Sequence, residues 1–177
     1  LKFFIDRPKS DEGDKALGEA MGKIKVILQA RLDPEEAHPN PLPERFVLKD
    51  VAWGKARPLW ARSGWLPLPA LSKRAYDLGF LDSTDSVERT PMIERYGEKN
   101  VKSLYTAALE LALGKPARFD TPGVMKIGHQ QIALDQAAMA KVRLPAADKL
   151  EAYSFLDLIH GKVDAAALAD RVVILGY

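Results

Sequence analysis

The chain has 177 residues, with 47% hydrophobic and 28% charged side chains, which are ordinary values for a folded globular domain and exclude wholesale disorder. Its 26 basic and 24 acidic residues leave a formal charge of +2, too small an excess for a dedicated nucleic-acid binder. Cysteine is absent, which removes disulfide scaffolds, thiol catalysis and cysteine-ligated metal or iron–sulfur centres. No run approaches the roughly 20 apolar residues that span a bilayer, and Leu1 starts in an apolar run without a basic leader. The sequence therefore reads as part of something larger.

Leu1–Ile5 is short, aromatic and β-branched, and predicts a strand. Asp6–Pro8 ends it. The acidic cluster Asp11–Asp14 opens a helix that runs to Met21, because acidic side chains interact favourably with the free amides of a first turn. Lys25–Ala30 follows as a second strand. Strand, helix and strand in thirty residues predict a parallel α/β unit.

Four prolines between Asp33 and Glu44 make that stretch a loop. Trp53, Trp60 and Trp65 then alternate with Arg57 and Arg62. Such a mixture packs as an amphipathic flap, or stacks on a planar or anionic ligand. Leu71–Leu78 predicts a short helix stopped by Gly79. Residues 79–82 and 89–96 bracket a polar turn, and the second piece predicts a strand in which Pro91 implies an edge position or an irregular start. Asn100 is expected to cap a helix in which Val101, Leu104, Tyr105, Ala108, Leu109 and Ala112 recur at helical spacing, and Gly114 stops it.

Val124–Ile127 and Gln131–Asp135 predict a hairpin turning at residues 128–130, and Met139–Leu144 another strand. Ser154–Asp157 matches a capping box with Gly161 just past the helix end, and Val163–Ala169 adds one or two helical turns. The continuous apolar, β-branched segment Arg171–Tyr177 predicts a central parallel strand. The expected fold is thus a single α/β domain with a mixed, partly parallel sheet flanked by helices.

The ordered set of segments resembles the CHASE2 domain, a sensory module of bacterial signalling proteins. Leu1–Ile5, Asp11–Ala20 and Lys25–Leu28 look like its strand, acidic loop with short helix, and next strand. Leu66–Leu71, Tyr76–Asp82 and Asp85–Met92 resemble its proline–leucine turn, its glycine-bearing short strand and its Asp, Arg and Pro stretch before an edge strand. Lys102–Ala107 resembles the start of its long helix, and Tyr153–Val163 with Leu168–Gly176 resembles the closing helix, loop and strand. Two departures stand out. Ser86 occupies a turn position where the family usually has Gly, and the family's opening strand with its Trp- and Pro-rich segment has no counterpart, so the chain is expected to begin inside the domain.

The resemblance implies a non-enzymatic receiver on the periplasmic or extracellular face of the bacterial inner membrane, held there by segments outside this chain. It would pass a small-molecule or mechanical signal to a cytoplasmic nucleotide cyclase or protein kinase, within a homodimer, without a cofactor. The residues themselves leave two alternatives open, a metal-dependent or hydrolase-like periplasmic enzyme and a structural envelope module. Motifs for chemistry are thin: His38, His129 and His160 are scattered, no serine sits in a nucleophile elbow, and neither Gly54-Lys55 nor Gly161-Lys162 has the upstream glycines of a phosphate loop. The candidate ligand-binding residues are Arg57, Trp60, Arg62 and Trp65, as an anion-holding and stacking wall, with Asp82, Asp85 and Arg89 at the polar turn, where the paired carboxylates could hold a cation.

Overall fold

A computed structural model describes residues 5–36, 41–82, 88–143 and 151–175. It is an α/β domain with mixed, partly parallel pairing and flanking helices, as the sequence predicts. Helix α1 (Asp11–Met21) carries Asp11, Glu12 and Asp14 in its first turn, and Ser10 is the cap, its Oγ accepting the Gly13 amide at 3.0 Å. Strand β1 (Ile27–Asp33) follows. A 3₁₀ turn at Glu44–Phe46 leads into β2 (Val47–Leu48), and β3 (Trp60–Ala61) and β4 (Ser63–Trp65) come from the tryptophan-rich segment.

The predicted helix over 71–78 is corrected. Helix α2 covers only Pro69–Ser72, and residues Asp77–Phe80 form strand β5, which pairs with β1 in parallel from Ile27↔Asp77 to Ala30↔Phe80. Gly79 is therefore a strand residue rather than a helix stop. A Cβ there would sit 2.4 Å from the Leu104 Cα, so glycine is what lets the next helix approach β5. Because β4 pairs antiparallel on the other edge of β1, the three strands run β4-β1-β5.

Strands β6 (Arg89–Pro91) and β7 (Ile93–Tyr96) divide the extended segment at Met92, and among the described strands β6 pairs with β12 (Met139–Lys141) alone, which fits an edge position for Pro91. The predicted cap at Asn100 is also corrected. Asn100 lies in β8 (Lys99–Lys102), which pairs with β7 and β2, and Ser103 caps α3 (Leu104–Leu113) by accepting the Thr106 amide at 3.2 Å. Gly114 ends the helix in the left-handed conformation, φ 60°, as predicted. The four-stranded sheet runs β2-β8-β7-β3.

After α3 a three-stranded meander forms from β9 (Ala117–Thr121), β10 (Val124–Ile127) and β11 (Gln130–Ala133). The β10–β11 hairpin is the predicted one, with Ile127 opposite Gln130 and His129 in its turn. Strand β9 had not been expected. Its buried Ala117 and Phe119 alternate with exposed Arg118 and Asp120, so only two apolar side chains announce it.

Two apolar cores result. One gathers Leu28, Ala30, Leu71, Leu78, Phe80 and Tyr96 between the β4-β1-β5 sheet and one face of the four-stranded sheet. The other gathers Met92, Ile93, Phe119, Met125, Ile127 and Ala140 against the meander. Side chains alternate along β7, so Ile93 faces the second core while Glu94 and Tyr96 face the first.

The C-terminal region departs most from expectation. Helix α4 (Phe155–Ile159) starts after Ser154, whose side chain makes no cap hydrogen bond, so the predicted capping box does not form. His160 ends that helix and the turn at 165–167 is 3₁₀. Residues 171–175 pair with no strand, and Val172, Val173 and Ile174 are exposed, the last at 78%. The predicted central parallel strand is therefore corrected: β-branched composition favours extension, but a central strand needs two neighbours, and none of the described strands lies beside this segment. Leu1–Phe4, His38 and Asp85 lie outside the described residues, so the opening strand and part of the polar turn do too.

Candidate functional site

The sequence-derived candidates divide into three places. Trp60 ends up 48% exposed on β3, its Nε1 donating to the Gly97 carbonyl at 3.0 Å, with the Arg62 guanidinium 5.8 Å from the ring centroid. Arg62 also lies 3.8 Å from Glu36. Arg57 is exposed in the loop before β3, where its amide donates to the Gln136 carbonyl at 2.6 Å. Arg89, on β6, forms an ion pair with Asp135 beside the meander. Trp60 and Arg62 thus stand together, while Arg57 and Arg89 serve other parts of the surface.

Trp65 and Asp82 belong to the third place, at the carboxyl ends of the parallel strands. That end of an open α/β sheet is where ligands are commonly bound, because the loops leaving the strands diverge there. Trp65 on β4 lies directly opposite Arg31 on β1, and the Arg31 Nε is 3.8 Å from Asp82 Oδ1. Asp82 Oδ2 accepts the Leu32 amide at 3.1 Å, which ties the residue just past β5 to the neighbouring strand. Asp33 follows on β1, buried, with its Oδ2 3.3 Å from the Ser63 hydroxyl and its Oδ1 accepting the Glu35 amide at 3.1 Å.

Glu94 completes this place, and the sequence reading passed over it. It lies mid-strand on β7, is 0% exposed, and neither of its carboxylate oxygens has a hydrogen-bond donor. The polar group it faces is the Asp82 carboxyl. Burial pushes the Glu94 pKa well above its ordinary 4.5, and the charge of Asp82 and a hydrogen bond shared with it push the same way. Burial raises Asp82 as well, opposed by the bond to Glu94, the Leu32 amide and the Arg31 charge. Two ionised carboxylates offer only acceptors to each other, so a proton supplies the donor that the heavy atoms lack.

The signal that could have exposed Glu94 was the mixed face of residues 92–96, where one acidic side chain interrupts apolar ones. That pattern does not say whether the acid points to solvent. No family model, curated protein or solved structure matches the chain. The site therefore has to be read from its own chemistry.

Elsewhere, Lys102 of β8 is sandwiched between Asp77 of β5 at 2.5 Å and Glu110 of α3 at 2.7 Å, and Glu110 also accepts the Ala117 amide at 2.7 Å. Burial alone would lower the lysine pKa, but these two carboxylates outweigh it and hold it above 10.5. All three charges are satisfied, which makes this a clamp between elements. An open depression of about 330 Å³ lies at the C-terminal end of α1, where Lys23, Lys25, Arg74 and Tyr76 surround Ile24. A cavity of about 20 Å³ under Trp53 has room for one water and no ligand. Among the described residues no group of three metal-ligating side chains converges, and no helix is long and apolar enough to cross a membrane.

Proposed function

We propose that the chain is an extracytoplasmic sensory module of a bacterial membrane receptor, which registers a small-molecule or mechanical signal and couples it to a cytoplasmic cyclase or kinase. The ordered resemblance to the CHASE2 domain carries this reading. Several of its segments meet regular elements: Lys25–Leu28 enters β1, Tyr76–Asp82 contains β5, Asp85–Met92 contains β6, Lys102–Ala107 starts α3 and Tyr153–Val163 contains α4. A receiver must have at least two arrangements that a signal can bias. The buried Glu94, facing the Asp82 carboxyl, supports that requirement, because ionising it alters that contact.

The exposed apolar residues Phe155, Leu156, Ile159 and Ile174 support a module that works against another surface, such as a second copy or an adjoining part of the receptor. The test is topological. Alkaline phosphatase fused after this module in its natural protein is expected to be active, and a β-galactosidase fusion at the same point inactive. The reverse pattern places the module in the cytoplasm and ends the reading.

A further inference from the structure

We infer that Asp82 and Glu94 form a proton-binding site, a carboxyl pair that holds one proton between the two sheets and releases it as the pH rises. Its use as a stimulus rests on the sensory reading above, whereas the titration itself does not. The argument starts from burial. A carboxylate without donors in an apolar core is costly, and the group takes up a proton rather than remain charged. Glu94 has the first core around it and no donor for either oxygen. Asp82 is the better placed of the two to stay ionised, because the Leu32 amide and Arg31 both favour its charge.

The other charged groups on the surrounding elements are engaged elsewhere. On β1, Asp33 holds Ser63 and the Glu35 amide; on β7, Arg95 pairs with Glu98 at 2.8 Å, and Tyr96 is the titratable side chain that shares the Glu94 face, its ring against Phe80. On β8, Lys99 pairs with Glu44, and Lys102 with Asp77 of β5 and Glu110. Strands β3 and β4 bring no titratable side chain, and Arg62 between them lies beside Glu36. Among the described residues, Arg31 is thus the cation that touches the pair, and it touches the Asp82 end.

The sign follows from linkage. A folded-state pKa above the unfolded one means that the folded protein holds the extra proton. The stabilisation is complete below about 4.5 and is lost as pH rises through the folded value of Glu94. Loss of the proton leaves two like charges facing each other across the sheets, and separation or hydration of the pair relieves them.

The experiment is thermal unfolding of the wild type, Glu94→Gln and Asp82→Asn between about pH 4 and about pH 9. Glu94→Gln keeps the shape and supplies an amide donor permanently. Its melting temperature is expected to match the wild type on the acid side and to exceed it by about 5 °C on the alkaline side. Asp82→Asn is expected to move the wild-type transition to lower pH, since the charge that holds the Glu94 proton is gone. A difference between Glu94→Gln and wild type that stays constant with pH overturns the proposal. Infrared spectra of the wild type supply a check that needs no variant: a protonated-acid carbonyl band must persist above the ordinary carboxyl range, and its absence is also fatal. Added Ca²⁺ or Mg²⁺ that raises the alkaline melting temperature of the wild type, but not of Glu94→Gln, would make the pair a cation site and overturn its assignment to a proton. If the titration holds and the output of the parent receptor ignores external pH, the use as a stimulus fails while the site stands.

Discussion

Replacing Lys102 by Met is the sharpest test of how the elements are held together. Lys102, Asp77 and Glu110 have side-chain exposures of 13%, 11% and 14%, so water screens the triad little. The substitution keeps most of the apolar stem, ending one atom short of the ammonium, and leaves two carboxylates without their cation. Removing one partner from a buried ion pair costs about 3–5 kcal/mol, a large share of the roughly 5–15 kcal/mol that stabilises a typical domain. In a chain of this size that lowers the melting temperature by roughly 6–20 °C. The internal control is Lys99→Met, at the other end of the same strand, whose partner Glu44 is exposed; its loss costs at most about 1 kcal/mol. Urea unfolding of both variants and the wild type decides the matter. A Lys102→Met loss below about 1 kcal/mol, equal to the control, would refute the argument that burial makes this clamp strong. The pH dependence gives a second reading. Since the folded pKa of Lys102 lies above 10.5, its contribution is fully present below that value and is lost as pH rises through the folded one.

Gly79→Ala is expected to cost about 3 kcal/mol or more, because the new Cβ meets helix backbone at 2.4 Å rather than a side chain that can turn away; a melting curve close to wild type would show that α3 can retreat. Thr106→Val removes a buried hydroxyl that donates to the Met92 carbonyl at 2.6 Å, and should cost about 1 kcal/mol in denaturant unfolding, since Ser103 still donates to that carbonyl. Ile174→Lys is expected to change the stability of this chain by less than about 0.5 kcal/mol, because the side chain is exposed. A loss of several kcal/mol there would return residues 171–175 to the interior of a sheet.

Local chemistry made several elements readable in advance. Acidic residues in a first turn announced α1, Gly114 announced the end of α3, and alternation around Gly128 announced the β10–β11 hairpin. These features depend on residues near in sequence, where steric and capping preferences act directly. The two misread boundaries share one cause. Val101 suits a helix face as well as a strand, and Leu78 does too, so spacing alone could not choose between them. Pairing chose: β8 is held between β7 and β2, and β5 lies beside β1.

The site divides in the same way. Composition and spacing were sufficient to pick out Asp82 in a polar turn, and the tryptophan–arginine segment as a packed flap or a ligand wall. They could not bring Trp65 opposite Arg31, or set Glu94 against Asp82. Glu94 looks in the sequence like one more solvated charge, and only the stacking of two sheets makes it a buried acid. The segment 171–175 shows the converse, since apolar residues that suit a strand interior stay exposed where no neighbouring strand is present. The sequence alone determined the α/β class and the local stops and caps, because those follow from short-range sterics and hydrogen bonding. Which strands became neighbours, and therefore which charges lost their water, was decided by tertiary packing, because burial belongs to the assembled layers and to no single residue.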